Sequence, residues 1–161
     1  MKIARLPGIV AFIVAVPVFL VSSNVCWVIN TPLLYNYGFD KYNIAEQTGI
    51  DSNELLSVSR QIRDYFSNDE EYLNIQIQHS GTTQSLYNSR EILHMKDVKG
   101  LVRGVYRIQV VSAMYLAIFI LISLAIWRGL FPKNLALYIR TSGIITVLLV
   151  VIVSLCSLLG F

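Results

Sequence analysis

The sequence predicts a mainly α fold: an α-helical integral membrane protein with three transmembrane helices and a small extracytoplasmic α+β region between the first and second. Three observations carry this. The chain of 161 residues is 55% hydrophobic, with a mean hydropathy of +0.58, a composition typical of membrane proteins. Charge is absent from Leu6 to Ile29, from Ile108 to Trp127 and from Thr141 to Phe161, and each stretch approaches the ~20 residues that cross a bilayer core. All 10 acidic residues fall between Asp40 and Asp97, so polarity is concentrated in one block. The expected organisation is a single membrane domain, 1–161, with spans at 6–30, 107–128 and 139–161 and the polar region at 31–106.

The first apolar stretch follows the basic residues Lys2 and Arg5, as a signal peptide would. It is too long for the apolar part of one and lacks a small-x-small cleavage site, so it is expected to remain as an anchor. Cys26 and Cys156 lie near the ends of apolar stretches and are expected as small buried hydrophobes, not a disulfide framework. From Asn30 to Tyr42, Pro32, Gly38 and four aromatics (Tyr35, Tyr37, Phe39, Tyr42) predict an irregular segment at the membrane interface. Behind Asp51 and Ser52, the apolar residues Leu55, Leu56, Val58, Ile62, Tyr65 and Phe66 recur at helical spacing and predict an amphipathic helix over 51–66. Leu73, Ile75 and Ile77 alternate with polar residues and predict a short strand over 72–78, which needs a partner such as 84–87. Ser80-Gly81-Thr82-Thr83 marks a turn between them.

The run from Leu86 to Lys99 is the most informative. Asn88 can cap the first turn of a helix while Glu91, three residues on, reaches back, a capping-box arrangement. Ile92, Met95, Val98 and Val102 then line one helical face, and Gly100 and Gly104 are candidate breaks. A helix running straight into the second span would hold His94 about 20 Å above the membrane boundary, at 1.5 Å per residue. A bend at Gly100 or Gly104 would lay the 88–99 helix along the interface with His94 facing lipid head groups, and this bend is expected.

Charge predicts orientation. The N-terminus carries Lys2 and Arg5, and the 128–140 loop carries Arg128, Lys133 and Arg140 with no acid. Three passes put both on one side, which the positive-inside rule makes cytoplasmic, with 31–106 extracytoplasmic in a multi-pass protein of the cell membrane. Lys96, Lys99, Arg103 and Arg107 crowd the approach to the second span and oppose this assignment, but the rule discounts long translocated segments. The stretch Arg128 to Lys133 is expected as an interfacial turn. A net charge of +3 is too small and scattered for a nucleic-acid surface. No Gly-rich phosphate loop or Gly-x-Ser-x-Gly elbow supports nucleotide chemistry or serine hydrolysis.

His94 has Glu91 three residues before it and Asp97 three after, each about 60° away around a helix. Either carboxylate can orient the ring, as a histidine general base requires; a solvated face of an amphipathic helix has the same pattern. His79, beside the turn, reads as solvated, and two histidines fifteen residues apart with no cysteine nearby match no zinc spacing. No metal or cofactor is expected. Arg103 and Arg107, four apart beside Tyr106, suit phosphate or glycerol head groups, or serve as snorkelling anchors at a helix end. The spans carry no ionisable residue to mark a transport path. Small residues, Ser112 and Ala113 in the second and Ser142 and Gly143 in the third, would allow close helix approach.

The run Tyr87-Asn88-Ser89-Arg90-Glu91-Ile92-Leu93-His94-Met95-Lys96-Asp97-Val98-Lys99 resembles the most distinctive motif of the lipoprotein intramolecular transacylase (Lit) family of small bacterial membrane proteins. The layout is similar over nearly the whole chain, although only 87–99 is specific. The resemblance implies a membrane acyltransferase that moves an acyl chain from the glycerol sn-2 oxygen of a diacylglycerol-modified lipoprotein to the amine of its N-terminal cysteine. It implies membrane lipid and lipoprotein as partners, His94 as proton shuttle with Asp97 or Glu91 as orienter, and Arg103 and Arg107 near the head group. The family plan has four spans, the last preceded by an aromatic loop with a functional Phe-His pair. This sequence ends at Phe161 without that element, so the resemblance carries the site only to His94 and leaves activity of this chain alone open. The competing expectation is a non-catalytic membrane scaffold that binds a partner through its extracytoplasmic region.

Overall fold

A computed structural model describes residues 6–79, 82–126 and 131–160, with side chains described except at 78, 79 and 131–133. The elements, in chain order, are α1 (Leu6–Asn30), α2 (Pro32–Lys41), α3 (Ile44–Thr48), α4 (Ser52–Ser67), β1 (Gln76–His79), β2 (Thr82–Ser85), α5 (Ser89–Ile126) and α6 (Phe131–Leu158). The protein is mainly α, and among the described residues three helices, α1, α5 and α6, are long and apolar enough to cross a membrane. Two compact units are distinguished: one comprises Met1–Ser23 with Arg107–Phe161, the other Asn24–Tyr106.

In the first unit, aromatic contacts join the three long helices. Phe12, 2% exposed, lies 4.7 Å from Phe119 and 6.4 Å from Tyr138 between ring centroids. The Tyr115 hydroxyl donates to the Gly8 carbonyl at 2.8 Å, and the Gln109 amide donates to the Ser23 hydroxyl at 3.2 Å. Ser112, Ser123 and Ser142 are buried, as expected where helices approach closely in lipid and small residues set the spacing. Of the Arg128–Lys133 stretch expected as a turn, 128–130 lie outside the described residues, whereas 131–133 are not a turn but the start of α6.

The second unit has a conventional apolar core: Ile50, Leu55, Val58, Tyr65, Phe66, Leu73, Ile75, Ile77 and Val102, with Phe39, Met95 and Val98 packed against it. Helix α4 is the amphipathic element expected near 51–66. Asp51 caps it, its carboxylate accepting from the Asn53 amide at 2.8 Å. Strands β1 and β2 pair antiparallel with Ile77 opposite Gln84, and the Leu86 amide donates to the Ile75 carbonyl at 3.0 Å. The ladder is shorter than the Tyr72–Gln78 alternation predicts, yet Leu73, Ile75 and Ile77 are all buried. Their alternation therefore records burial on one side of an extended chain, only part of which finds a strand partner. Ser80 and Gly81 of the expected turn lie outside the described residues, whereas Thr82 and Thr83 belong to β2.

Two expectations are corrected here. The segment after Asn30 is not irregular: it forms α2, with Pro32 at its first turn behind an extended Thr31, where proline's fixed φ suits a helix start. Phe39 on the core and the Tyr35 hydroxyl, donating to the Ile29 carbonyl at 3.0 Å, hold it. Nor does either glycine break α5, which is one helix of 38 residues through Gly100 and Gly104. A helical glycine costs about 1 kcal/mol against alanine, less than a helix anchored along its length needs to interrupt its hydrogen bonding. The 88–99 segment is thus the first part of the helix that carries the second apolar stretch.

Candidate functional site

The site is built on the first turns of α5. The Asn88 side-chain oxygen accepts from the Arg90 and Glu91 amides, both at 3.0 Å, while a Glu91 carboxylate oxygen accepts from the Asn88 amide at 2.8 Å. This reciprocal box satisfies donors that a helix start leaves open. It also assigns the Glu91 carboxylate to the backbone. Replacing Asn88 by alanine is expected to cost about 1 kcal/mol of local stability, seen as faster hydrogen exchange at the Arg90 and Glu91 amides with little change in α4.

Beyond the cap, α5 has two unlike faces. Ile92, Met95 and Val98 are partly buried and Val102 is buried, the face that the spacing predicts. Alongside it Lys96, Lys99 and Arg103 hold the segment Asn68–Tyr72. Lys96 pairs with Glu71 at 2.5 Å and lies 4.9 Å from the Tyr72 ring. Lys99 is only 6% exposed. It donates to the Asn68 side-chain oxygen at 2.9 Å and the Glu70 carbonyl at 2.6 Å, and sits 3.9 Å from the centre of the Tyr65 ring. Arg103 donates to the Asn68 carbonyl and, at 3.1 Å, to Asp69. Burial pushes the Lys99 ammonium below its ordinary value, and the Arg103 charge adds to this while Asp69 and Glu70 oppose it.

The Lys96 ammonium, hydrogen-bonded to Glu71, holds that carboxyl below the usual carboxylate range. Its stabilising contribution is therefore present above the ordinary carboxylate value and is lost as pH falls through the lowered one. The thermal midpoint gap between the protein and its Glu71→Gln variant is expected to close as pH falls through and below the ordinary carboxylate range. Because both partners are exposed, the gap should be small and should shrink with salt.

The other face of α5 is open. His94, Asp97 and Leu101 are exposed, and neither His94 nor Asp97 makes a hydrogen bond or ion pair among the described residues. At 100° per residue Lys99 lies about 140° and Arg103 about 180° around the helix from His94. The clamp that draws Lys96, Lys99 and Arg103 toward Asn68–Tyr72 therefore turns His94 and Asp97 outward. The structure groups His94 with Asp97, commits Glu91 to the cap, and separates Arg103 from His94. Arg107 belongs to the other unit, where it is exposed. His79 ends β1, opposite Thr82, and its side chain lies outside the described residues.

Lys96 and Lys99 as clamp residues, and Tyr65 as their aromatic floor, were missed from the sequence. The available signal was a cationic row at 96, 99 and 103 together with the acidic run Asp69-Glu70-Glu71. An exposed histidine on a capped and clamped helix, in a chain with three helices fit to cross a bilayer, defines a multi-pass helical membrane protein with its polar residues gathered in the Asn24–Tyr106 unit. The particular family follows from comparison: the model of the lipoprotein intramolecular transacylase Lit matches residues 10–161. The chain belongs to that family. No curated protein and no solved structure matches it.

Proposed function

We propose that this protein is a membrane acyltransferase that moves an acyl chain from the glycerol sn-2 oxygen to the N-terminal cysteine amine of a diacylglycerol-modified lipoprotein, with His94 carrying the proton. The observation that carries this is the exposed His94–Asp97 pair on a helix whose start and rotation are both held, in a member of the transacylase family. The amine, ordinarily titrating near ~8, must shed a proton to attack an ester carbonyl. The C–N bond forms, the C–O bond to glycerol breaks, and the proton taken from nitrogen goes to the departing glycerol oxygen. A single imidazole can accept it in the first step and return it in the second.

Asp97 is the orienting carboxylate in this scheme, and Glu91 acts by building the helix that presents the pair. Arg107 is placed at the lipid head group; Arg103 uses part of its five-donor guanidinium on Asn68 and Asp69, which leaves donors for a lipid oxygen. The N-terminus is placed in the cytoplasm and 31–106 outside the cell membrane, where mature lipoproteins are anchored. The test is to express the chain in a bacterium lacking lipoprotein N-acylation and to weigh a lipoprotein's N-terminal peptide by mass spectrometry. The lyso, N-acyl form is the expected product, and its absence in a host that accumulates the protein would overturn the reading.

A further inference from the structure

At the end of α1 a polar cluster gathers side chains from α1, α2, α4 and α5, all within the Asn24–Tyr106 unit. The Asn30 amide donates to the Cys26 carbonyl and to the Tyr106 hydroxyl, both at 2.8 Å. Arg63, on α4, donates from Nη1 to the Asn30 carbonyl at 3.2 Å and from Nε to the Ser59 carbonyl at 3.4 Å. The Tyr35 hydroxyl, on α2, donates to the Ile29 carbonyl at 3.0 Å. Burial pushes that hydroxyl above its ordinary value, with the Arg63 charge opposing the rise and Tyr106 adding to it, so all these groups stand within electrostatic reach of one another. Part of the cluster is unspent. Arg63 makes no ion pair among the described residues, and its bonds to carbonyls use only part of its donor fork. Tyr106 accepts from Asn30, while its own proton has no acceptor among the described residues.

The depth of this cluster follows from the chain. Asn30 is the last residue of α1, directly after the charge-free stretch Leu6–Ile29, and Tyr106 stands just before the charge-free stretch that begins at Ile108. Both stretches are long enough to cross a hydrocarbon core of ~30 Å, so the residues at their ends lie at the polar interface, where lipid phosphates sit. The Asn30–Tyr106 hydrogen bond ties those two boundaries to one level. A guanidinium with no acid to pair it, beside a phenol with an unused proton, suits an oxyanion, since charged hydrogen bonds to phosphate oxygens are among the strong ones. Capping the last carbonyl of α1 needs one donor and leaves the rest of the fork and the phenol unexplained. We propose that Arg63 and Tyr106 together hold the phosphate of one membrane phospholipid, which fastens α4 to the bilayer surface at the end of α1. The proposal concerns a bound lipid, not the substrate ester, and does not depend on the transacylase reading.

The test is native mass spectrometry of the full chain in detergent, titrated with phosphatidylglycerol, with diacylglycerol of the same acyl chains, and with phosphatidylglycerol in the presence of an equal concentration of inorganic phosphate. Phosphatidylglycerol is expected to bind saturably, diacylglycerol more than about tenfold more weakly, and inorganic phosphate not to compete. Arg63→Gln is expected to raise the half-saturating concentration about tenfold, the effect of losing a charged hydrogen bond. Arg63→Lys should raise it less, because the charge stays while the fork is lost. Arg90→Gln, which removes the same charge from an exposed position in the first turn of α5, should leave it unchanged. Arg63→Gln also gives up the bonds to the Asn30 and Ser59 carbonyls, so if that variant fails to fold, Tyr106→Phe decides; it keeps the ring and is expected to weaken binding about fivefold. Equal binding of diacylglycerol, displacement by inorganic phosphate, or wild-type affinity in Arg63→Gln or Tyr106→Phe would overturn the site.

Discussion

Replacing His94 by alanine is expected to lower lipoprotein N-acyl transfer by about 10²- to 10⁴-fold, the range a single general acid–base group supplies. His94 is exposed and bonded to nothing among the described residues, so its loss removes no packing, and protein level and thermal midpoint should be unchanged. That separation makes the result interpretable: activity falls while the fold does not. Asp97→Asn should cost less, about tenfold, because it removes the orienter and leaves the base. Glu91→Gln should reduce activity only as far as it frays the first turn, since its carboxylate serves the Asn88 amide. Quantitative mass spectrometry of lyso and diacyl N-terminal peptides, with the variants at matched abundance, reads all three. Full transfer by His94→Ala would remove His94 from the mechanism, whereas no transfer by the wild-type protein would favour a scaffold acting through the Asn24–Tyr106 unit, in which damage to α4 and not to His94 is what abolishes function.

Tyr65→Ala is expected to destabilise the Asn24–Tyr106 unit by about 3–5 kcal/mol, the usual cost of truncating a buried aromatic. Tyr65 is 1% exposed. Its ring lies 3.9 Å from the Lys99 ammonium, and its hydroxyl donates to the Glu71 carbonyl at 2.9 Å. The alanine variant loses core volume, the cation's aromatic partner and one anchor of the acidic segment together. Tyr65→Phe keeps the ring and should cost about 1 kcal/mol, that of a single hydrogen bond. Hydrogen exchange in α4 and the first turns of α5 would measure both. Because the clamp on Asn68–Tyr72 sets which face of α5 is exposed, Tyr65→Ala should also depress transfer although Tyr65 touches no substrate. Wild-type exchange rates in Tyr65→Ala would contradict the account of the core.

What could be read from the chain alone had a local cause. Three charge-free stretches announce membrane helices because the bilayer's thickness sets a length that composition must meet. The Asn88/Glu91 box and the Asp51 cap were legible because partners two or three residues apart meet wherever the backbone turns, and α4 because one period places Leu55, Val58, Ile62 and Phe66 on a single face. The motif at 87–99 also carried the family.

Tertiary structure decided what depends on partners far along the chain. Local composition around Pro32 and Gly38 suggested an irregular segment, but Phe39 reaching the core makes it a helix. Gly100 and Gly104 suggested a break, but a helix held by its neighbours on the core absorbs their cost. Glu91 was legible both as a cap and as a partner for His94, and only the formed hydrogen bond chose between them. Lys99 and Arg103 find Asn68, Asp69 and Glu70 about thirty residues away, and Arg107 and Ala11 line one groove although they are far apart in the sequence. Spacing rules have no term for such pairs, because the chain between them brings them together only once the fold exists.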